Sequence, residues 1–175
     1  MPDLIDTFEA NALEAAAEVR RTRATPDAIR EEIQHAANGA RSIALGTGEF
    51  LPAGLMESLH ALPGVLSSPT DEQLSNADVG ICGAFAGVAS AGSVCVAMGP
   101  PLVALTSLLM PLHIVMLSTH RIVARPRDLF DPECLNGEGL RRNLVFITGP
   151  SATADMGPLV RGVHGPHRLR ILLLG

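Results

Sequence analysis

The chain has no tryptophan and no tyrosine, and aromatic residues make up only 3% of its 175 positions. Its core must therefore rest on Leu, Val, Ile, Ala and Met, within an ordinary hydrophobic fraction of 47%. Without aromatics there is no stacking platform for bases, and a net charge of -5 leaves no basic footprint, so nucleic-acid binding is disfavoured. Only three cysteines occur, Cys82, Cys95 and Cys134, widely spaced and with no C-x-x-C. That argues against a disulfide framework, a zinc site or an iron-sulfur cluster held by this chain alone, and for thiols in a reducing cytoplasm. The Walker loop, G-x-G-x-x-G and H-E-x-x-H are all missing, which removes the commonest nucleotide and zinc-protease readings. The opening MPDLIDTFEA lacks a basic stretch followed by an apolar one, so no secretory signal is expected.

Between Asp78 and Arg121 there is no Asp, Glu, Lys or Arg. A membrane span needs about 20 consecutive apolar residues, but Gly99-Pro100-Pro101 and Pro111 cut this run into shorter pieces. The run is read as the interior of a soluble α/β sheet, with no membrane span.

At this length one domain is expected, with N-terminal helices over 1–40 packed on an α/β domain over 41–175. Leu4, Phe8, Ala12, Ala15, Ala16 and Val19 recur at helical spacing, predicting a first helix that ends near the basic Arg20, Arg21 and Arg23. Thr25-Pro26 opens a second helix carrying Ile29 and Ile33, which Asn38-Gly39 stops. Beyond it, short strands at 42–45, 65–67, 79–83, 113–118 and from 144 alternate with helices at 53–61, 71–76, 102–110 and 127–130. A loop at 136–139 precedes the strand from Leu144. Such alternation predicts a three-layer α/β domain with a mainly parallel sheet covered on both faces. The segment VASAGSVCVAM at 88–98 is rich in small residues, which let a backbone or a ligand come close to a strand.

The densest polar chemistry lies at 147–166. Here an apolar strand passes into hydroxylated and small residues, then reaches one imidazole flanked by glycines. Gly149, Gly162 and Gly165 permit close backbone approach, Thr148, Ser151 and Thr153 offer hydroxyls, Asp155 a charge and His164 a titratable ring. Turn and capping chemistry accounts for the same residues equally well, and His164 serves as readily to fix a turn as to move a proton. His113 reads as a core histidine, and Arg121 as a solvated strand-end charge or the partner of a substrate carboxylate.

Thr148-Gly149-Pro150-Ser151-Ala152-Thr153-Ala154-Asp155, followed by Leu159-Val160-Arg161-Gly162-Val163-His164-Gly165-Pro166 and an apolar stretch over 169–174, resembles the LUD domain, as in the lactate utilization protein C family. The likeness runs from about Asp71 onward. It includes Ala77-Asp78-Val79-Gly80-Ile81 and Pro111-x-His113-Ile114-Val115, and is weakest over the N-terminal helices. Where that family commonly has an acidic residue followed by T-G-T, this chain has Ser90-Ala91-Gly92-Ser93. The resemblance implies the superfold of sugar-phosphate isomerases and CoA-transferases. It also implies a cytoplasmic subunit or accessory protein of an L-lactate oxidation system that yields pyruvate, with iron-sulfur clusters carried by partner subunits and no cofactor or metal in this chain. A small organic anion would then contact Thr148, Gly149, Ser151, Thr153, Asp155, Gly162, His164 and Gly165, with Ser90 and Ser93 as secondary contacts. In open α/β sheets ligands collect beyond the carboxyl ends of strands, and 148–155 is expected to follow such an end. No catalytic residue can be assembled from the sequence, because spatial adjacency defines one. Two other readings stand beside this one: a stand-alone enzyme of that superfold acting on a phosphorylated, CoA-linked or folate-like anion, and a purely structural or interaction protein.

Overall fold

The computed structural model describes residues 3–46, 48–99, 101–135, 143–155 and 157–175. The loop expected at 136–139 lies outside the described residues. Five strands form an all-parallel sheet: β1 (Glu18–Thr22), β2 (Ile43–Leu45), β3 (Val79–Gly83), β6 (Leu112–Ser118) and β11 (Arg168–Leu174), in the order β1-β11-β6-β3-β2. β6 and β11 lie centrally and are almost continuously apolar, as strands buried on both faces must be.

Side chains alternate across the sheet with the two-residue period of a strand. One set, including Ile81, Ile114, Met116 and Leu172, packs under Ile29 and Ile33 of α2 (Pro26–Ala36) and Leu55 and Leu59 of α3 (Leu55–His60). The opposite set, including Cys82, Val115, Leu117 and Ile171, packs under Phe8 and Ala12 of α1 (Leu4–Glu14) and Val103 of α5 (Pro101–Leu108). Gly80 is what lets α5 lie so close, since a Cβ there would overlap the Thr106 carbonyl oxygen. The short α4 (Asp71–Ser75) is closed by a reciprocal capping box between Thr70 and Gln73.

Beside α1 and α5, a smaller sheet completes that layer: β4 (Ala86–Val88), β5 (Ser93–Met98), β7 (Ile122–Val123) and β8 (Asn143–Ile147), in the order β7-β4-β5-β8. β5 is antiparallel to both β4 and β8. A separate two-stranded hairpin joins β9 (Ala152–Thr153) to β10 (Val160–Arg161). The three-layer α/β architecture with a mainly parallel central sheet is thus present. Among the described residues, no helix is long and apolar enough to cross a membrane.

Three local expectations are corrected. The first helix stops at Glu14 rather than running to Arg20: Ala16 takes φ 65°, the chain reverses, and Glu18 to Thr22 become a strand of the main sheet. The small-residue segment is not one strand but a hairpin, turned at Gly92 with φ 59° against the backbone of Ala12. Residues 65–67 form only a single bridge, from Val65 to Ile43.

Candidate functional site

The strand that leads into Thr148 is β8, at the edge of the smaller sheet, and not a member of the parallel sheet. The polar loops after it consequently do not sit beyond the carboxyl ends of parallel strands, as expected, but at the opposite, amino edge. Three contacts show this. Gly149, with φ 69°, lies against the carbonyl of Ala15, just before β1, so closely that a Cβ would overlap it. The Ser151 N–H donates to the Pro166 carbonyl at 2.9 Å, just before β11. Ser107 and Leu108, at the end of α5 and just before β6, form the facing wall.

Within this edge, tertiary folding brings together much of the predicted set. Ser93, 3% exposed on β5, and Thr148 place their hydroxyls 2.6 Å apart across 55 residues of sequence. Ser151 ties the second motif to the first: its carbonyl accepts the Gly162 N–H at 2.9 Å, and its hydroxyl accepts the His164 N–H at 3.4 Å. Thr148, Gly149, Ser151, His164 and Gly165 line a depression of about 380 Å³, closed by Ser107, Leu108, Val145, Phe146 and Leu169. These walls come from α5, β8 and β11, and no sequence motif marks them.

The remaining predicted residues are placed elsewhere. Thr153 and Asp155 line a second depression of about 340 Å³ on the hairpin side, sharing only His164 with the first. Gly162, with φ 78°, lies against the ring of His167, where a Cβ would overlap the imidazole. Ser90 is exposed in the turn of the β4–β5 hairpin, and its N–H donates to the Ala124 carbonyl at 3.0 Å. That turn is held to α1 by the Asn11 side-chain amide donating to the Ala89 carbonyl at 2.7 Å.

The first depression has a distinct electrostatic character. Among the described residues, His164 is the only ionisable one that lines it. The facing wall is the carboxyl end of α5, where helix carbonyls carry a negative partial charge. The Thr106 and Ser107 hydroxyls donate back to the Val103 and Ala104 carbonyls at 2.9 and 2.8 Å, which satisfies part of that end. A negative group would be disfavoured beside that helix end, and the Thr148 and Ser151 side chains offer hydroxyls to the same depression.

Two candidates from the sequence have structural duties. His113 is fully buried, its Nε2 3.2 Å from the Cys82 sulfur, and burial pushes its pKa down to about 3 while pushing the Cys82 thiol up to about 12. Arg121 is half-buried and bonded within the protein: its Nε donates to the Phe85 carbonyl at 3.1 Å and an Nη to the Cys134 carbonyl at 2.7 Å. Its guanidinium carbon lies 4.1 Å from the Phe50 ring centre and 4.9 Å from that of Phe85, a cation-π clamp at the carboxyl edge. Two of the five phenylalanines meeting one arginine was a signal the sequence could not display as proximity.

The fold and the site can be set beside known proteins. A Deinococcus radiodurans protein of the duf162 family, known from its crystal structure, superposes with a TM-score of 0.70, covering 98% of this chain and 96% of that one at 21% identity, which establishes a shared fold. An uncharacterized protein, NMB1437, of Neisseria meningitidis serogroup B is 33% identical over 104 residues, 59% of this chain but only 45% of that protein's length. Over residues 5–174, nearly its whole length and including every residue of the candidate site, the chain matches the LUD domain, and it belongs to that family.

Proposed function

We propose that this chain is a cytoplasmic accessory subunit of an L-lactate utilization system, recognising a small hydroxy acid at the amino-edge depression. What carries the reading is that Thr148, Ser151 and His164 line one depression, with a volume at the lower end of small-molecule sites, while the buried Ser93 hydroxyl bonds to that of Thr148. A 2-hydroxy acid offers what these groups complement: a hydroxyl to exchange hydrogen bonds with Thr148 and Ser151, and a carboxylate for His164. Oxidation to pyruvate removes two electrons, and in this proposal they pass to iron-sulfur centres in partner subunits. This chain's share is recognition and docking.

The test is lactate-dependent reduction of an electron acceptor by the candidate iron-sulfur partners, co-expressed with the chain, without it, or with its Thr148→Val or His164→Ala variant. Activity that requires the chain and drops at least tenfold in either variant supports the proposal. Activity indifferent to the chain overturns it, and the purified protein would then be screened against phosphorylated and CoA-linked anions.

A further inference from the structure

The hydroxyls around the amino-edge depression are not free to turn, because the protein fixes which of them give a proton and which receive one. A hydroxyl carries one proton and two lone pairs. Ser93 is 3% exposed, and among the described residues its hydroxyl has one hydrogen-bonding partner, the Thr148 hydroxyl at 2.6 Å. If Ser93 accepted from Thr148, its own proton would be stranded in the interior, with the desolvation penalty of an unpaired buried donor. Ser93 therefore donates. The Thr148 proton is left to point away from Ser93, into the depression that Thr148 lines. Ser151, on the same wall, is set alike: its hydroxyl accepts the His164 N–H at 3.4 Å, and its proton remains to be given.

The facing wall has the opposite polarity. Ser107 gives its proton to the Ala104 carbonyl at 2.8 Å, which leaves its lone pairs as acceptors. Leu108 ends α5, and its carbonyl has no helical donor: Pro111 lacks an N–H, and the Leu112 N–H donates instead to the Asp78 carbonyl at 3.3 Å. Gly165 lies where the two walls meet. A Cβ there would stand 3.6 Å from the Ser151 hydroxyl oxygen and 3.9 Å from the Leu108 carbonyl oxygen. The lack of a side chain at Gly165 keeps one donor and one acceptor open to a single occupant.

We infer that the depression recognises an alcohol hydroxyl in preference to a keto oxygen, and that Ser93 is the positioning residue that makes Thr148 a donor to the ligand. An alcohol oxygen accepts from Thr148 or Ser151 while its own proton goes to the Ser107 and Leu108 wall. A keto oxygen can only accept, so it satisfies the donor wall and leaves the acceptor wall unmatched. Applied to the ligand proposed above, the site holds a 2-hydroxy acid more tightly than the corresponding 2-oxo acid. This inference rests on that proposal for the class of ligand, and adds which group of it is read and which residue sets the reading.

The test is isothermal titration calorimetry of the full chain with L-lactate, pyruvate and propionate, which differ in carrying a hydroxyl, a keto oxygen or neither beside the carboxylate. L-lactate should bind about tenfold more tightly than either of the others. Ser93→Ala should remove most of the preference for L-lactate over pyruvate, because Thr148 is then free to turn a lone pair toward the ligand. A Ser93 that merely braced the fold would lower both affinities together and keep their ratio. Gly165→Ala, which sets a methyl group beside both the Ser151 hydroxyl and the Leu108 carbonyl, should weaken L-lactate about tenfold with circular dichroism unchanged, and so tests the same wall even if Ser93→Ala does not fold. L-lactate binding without preference over pyruvate, a preference that Ser93→Ala leaves intact, or binding that Gly165→Ala leaves untouched overturns this inference while the proposed function stands. Binding of none of the three acids overturns both.

Discussion

His113 shows how one buried ring links pH to stability. Unfolded, it titrates near 6.5; folded, burial holds it down to about 3. Between those values the unfolded chain binds the extra proton, so stability falls as pH drops through this window, by at most ~1.4 kcal/mol per pH unit. Urea titrations at about pH 7 and about pH 5 should therefore show wild type losing roughly 2 kcal/mol more than His113→Leu, which lacks the ring and its unpartnered Nδ1; equal losses would rule His113 out as the group responsible. Thiol chemistry divides in the same way. Cys82 and Cys95 are fully enclosed with pKa values pushed up to about 12, whereas Cys134 is half-buried. Alkylation of the native protein followed by peptide mass spectrometry should label Cys134 first and the other two only after unfolding. His113, Cys82 and Cys95 each lie in an apolar run, which already pointed to core positions, whereas Cys134 follows Asp131-Pro132-Glu133. The sequence did not show that His113 and Cys82 touch.

Between elements, the amino edge depends on a few close approaches that single substitutions can test. Gly149 and Gly39 both have positive φ, but a Cβ at Gly149 would overlap the Ala15 carbonyl, while none lies within 4 Å at Gly39. Gly39→Ala should cost about 1 kcal/mol, the conformational penalty alone, and Gly149→Ala clearly more, on the order of 2–4 kcal/mol, read as a shift in thermal midpoint. The β1–β11 pair is bound by Glu18, whose carboxylate accepts from Arg168 at 2.8 Å and from the almost buried Arg170. Burial acts to raise the Glu18 pKa, but the hydrogen bonds from Arg170 and Arg168 outweigh it and hold the carboxyl below its usual range. Its stabilisation is thus present above the unfolded carboxylate pKa and lost as pH falls through the folded value. Glu18→Gln, which strands the Arg170 charge, should destabilise by roughly 1–3 kcal/mol at neutral pH and by less in acid, as urea midpoints would show. The sequence placed Glu18 in a helix because Ala-Ala-Ala-Glu-Val continues a helical period. Local propensity lost to the vacant edge beside β11, where a strand gains a full parallel ladder.

At the scale of the molecule, β1 comes from the first 40 residues and β11 from the last eight, and they lie side by side in one sheet. Calorimetry should accordingly record one cooperative transition, without a separate early melting of residues 1–40; two resolved transitions would contradict a shared core. By itself the sequence determined what depends on local order: the alternation that makes a mainly parallel three-layer fold, the apolar strands β3, β6 and β11, the short helix α4, and the two polar motifs that mark the family. Those features are set by side-chain period and turn chemistry within a few residues. Tertiary structure decided where the motifs point, because β8 pairs with β5 rather than with the parallel strands, and long-range pairing leaves no mark on a five-residue segment. That choice moved the polar loops from the carboxyl to the amino edge, joined Ser93 to Thr148, parted Asp155 and Ser90 from them, and set β8 at the end of its sheet among the described residues.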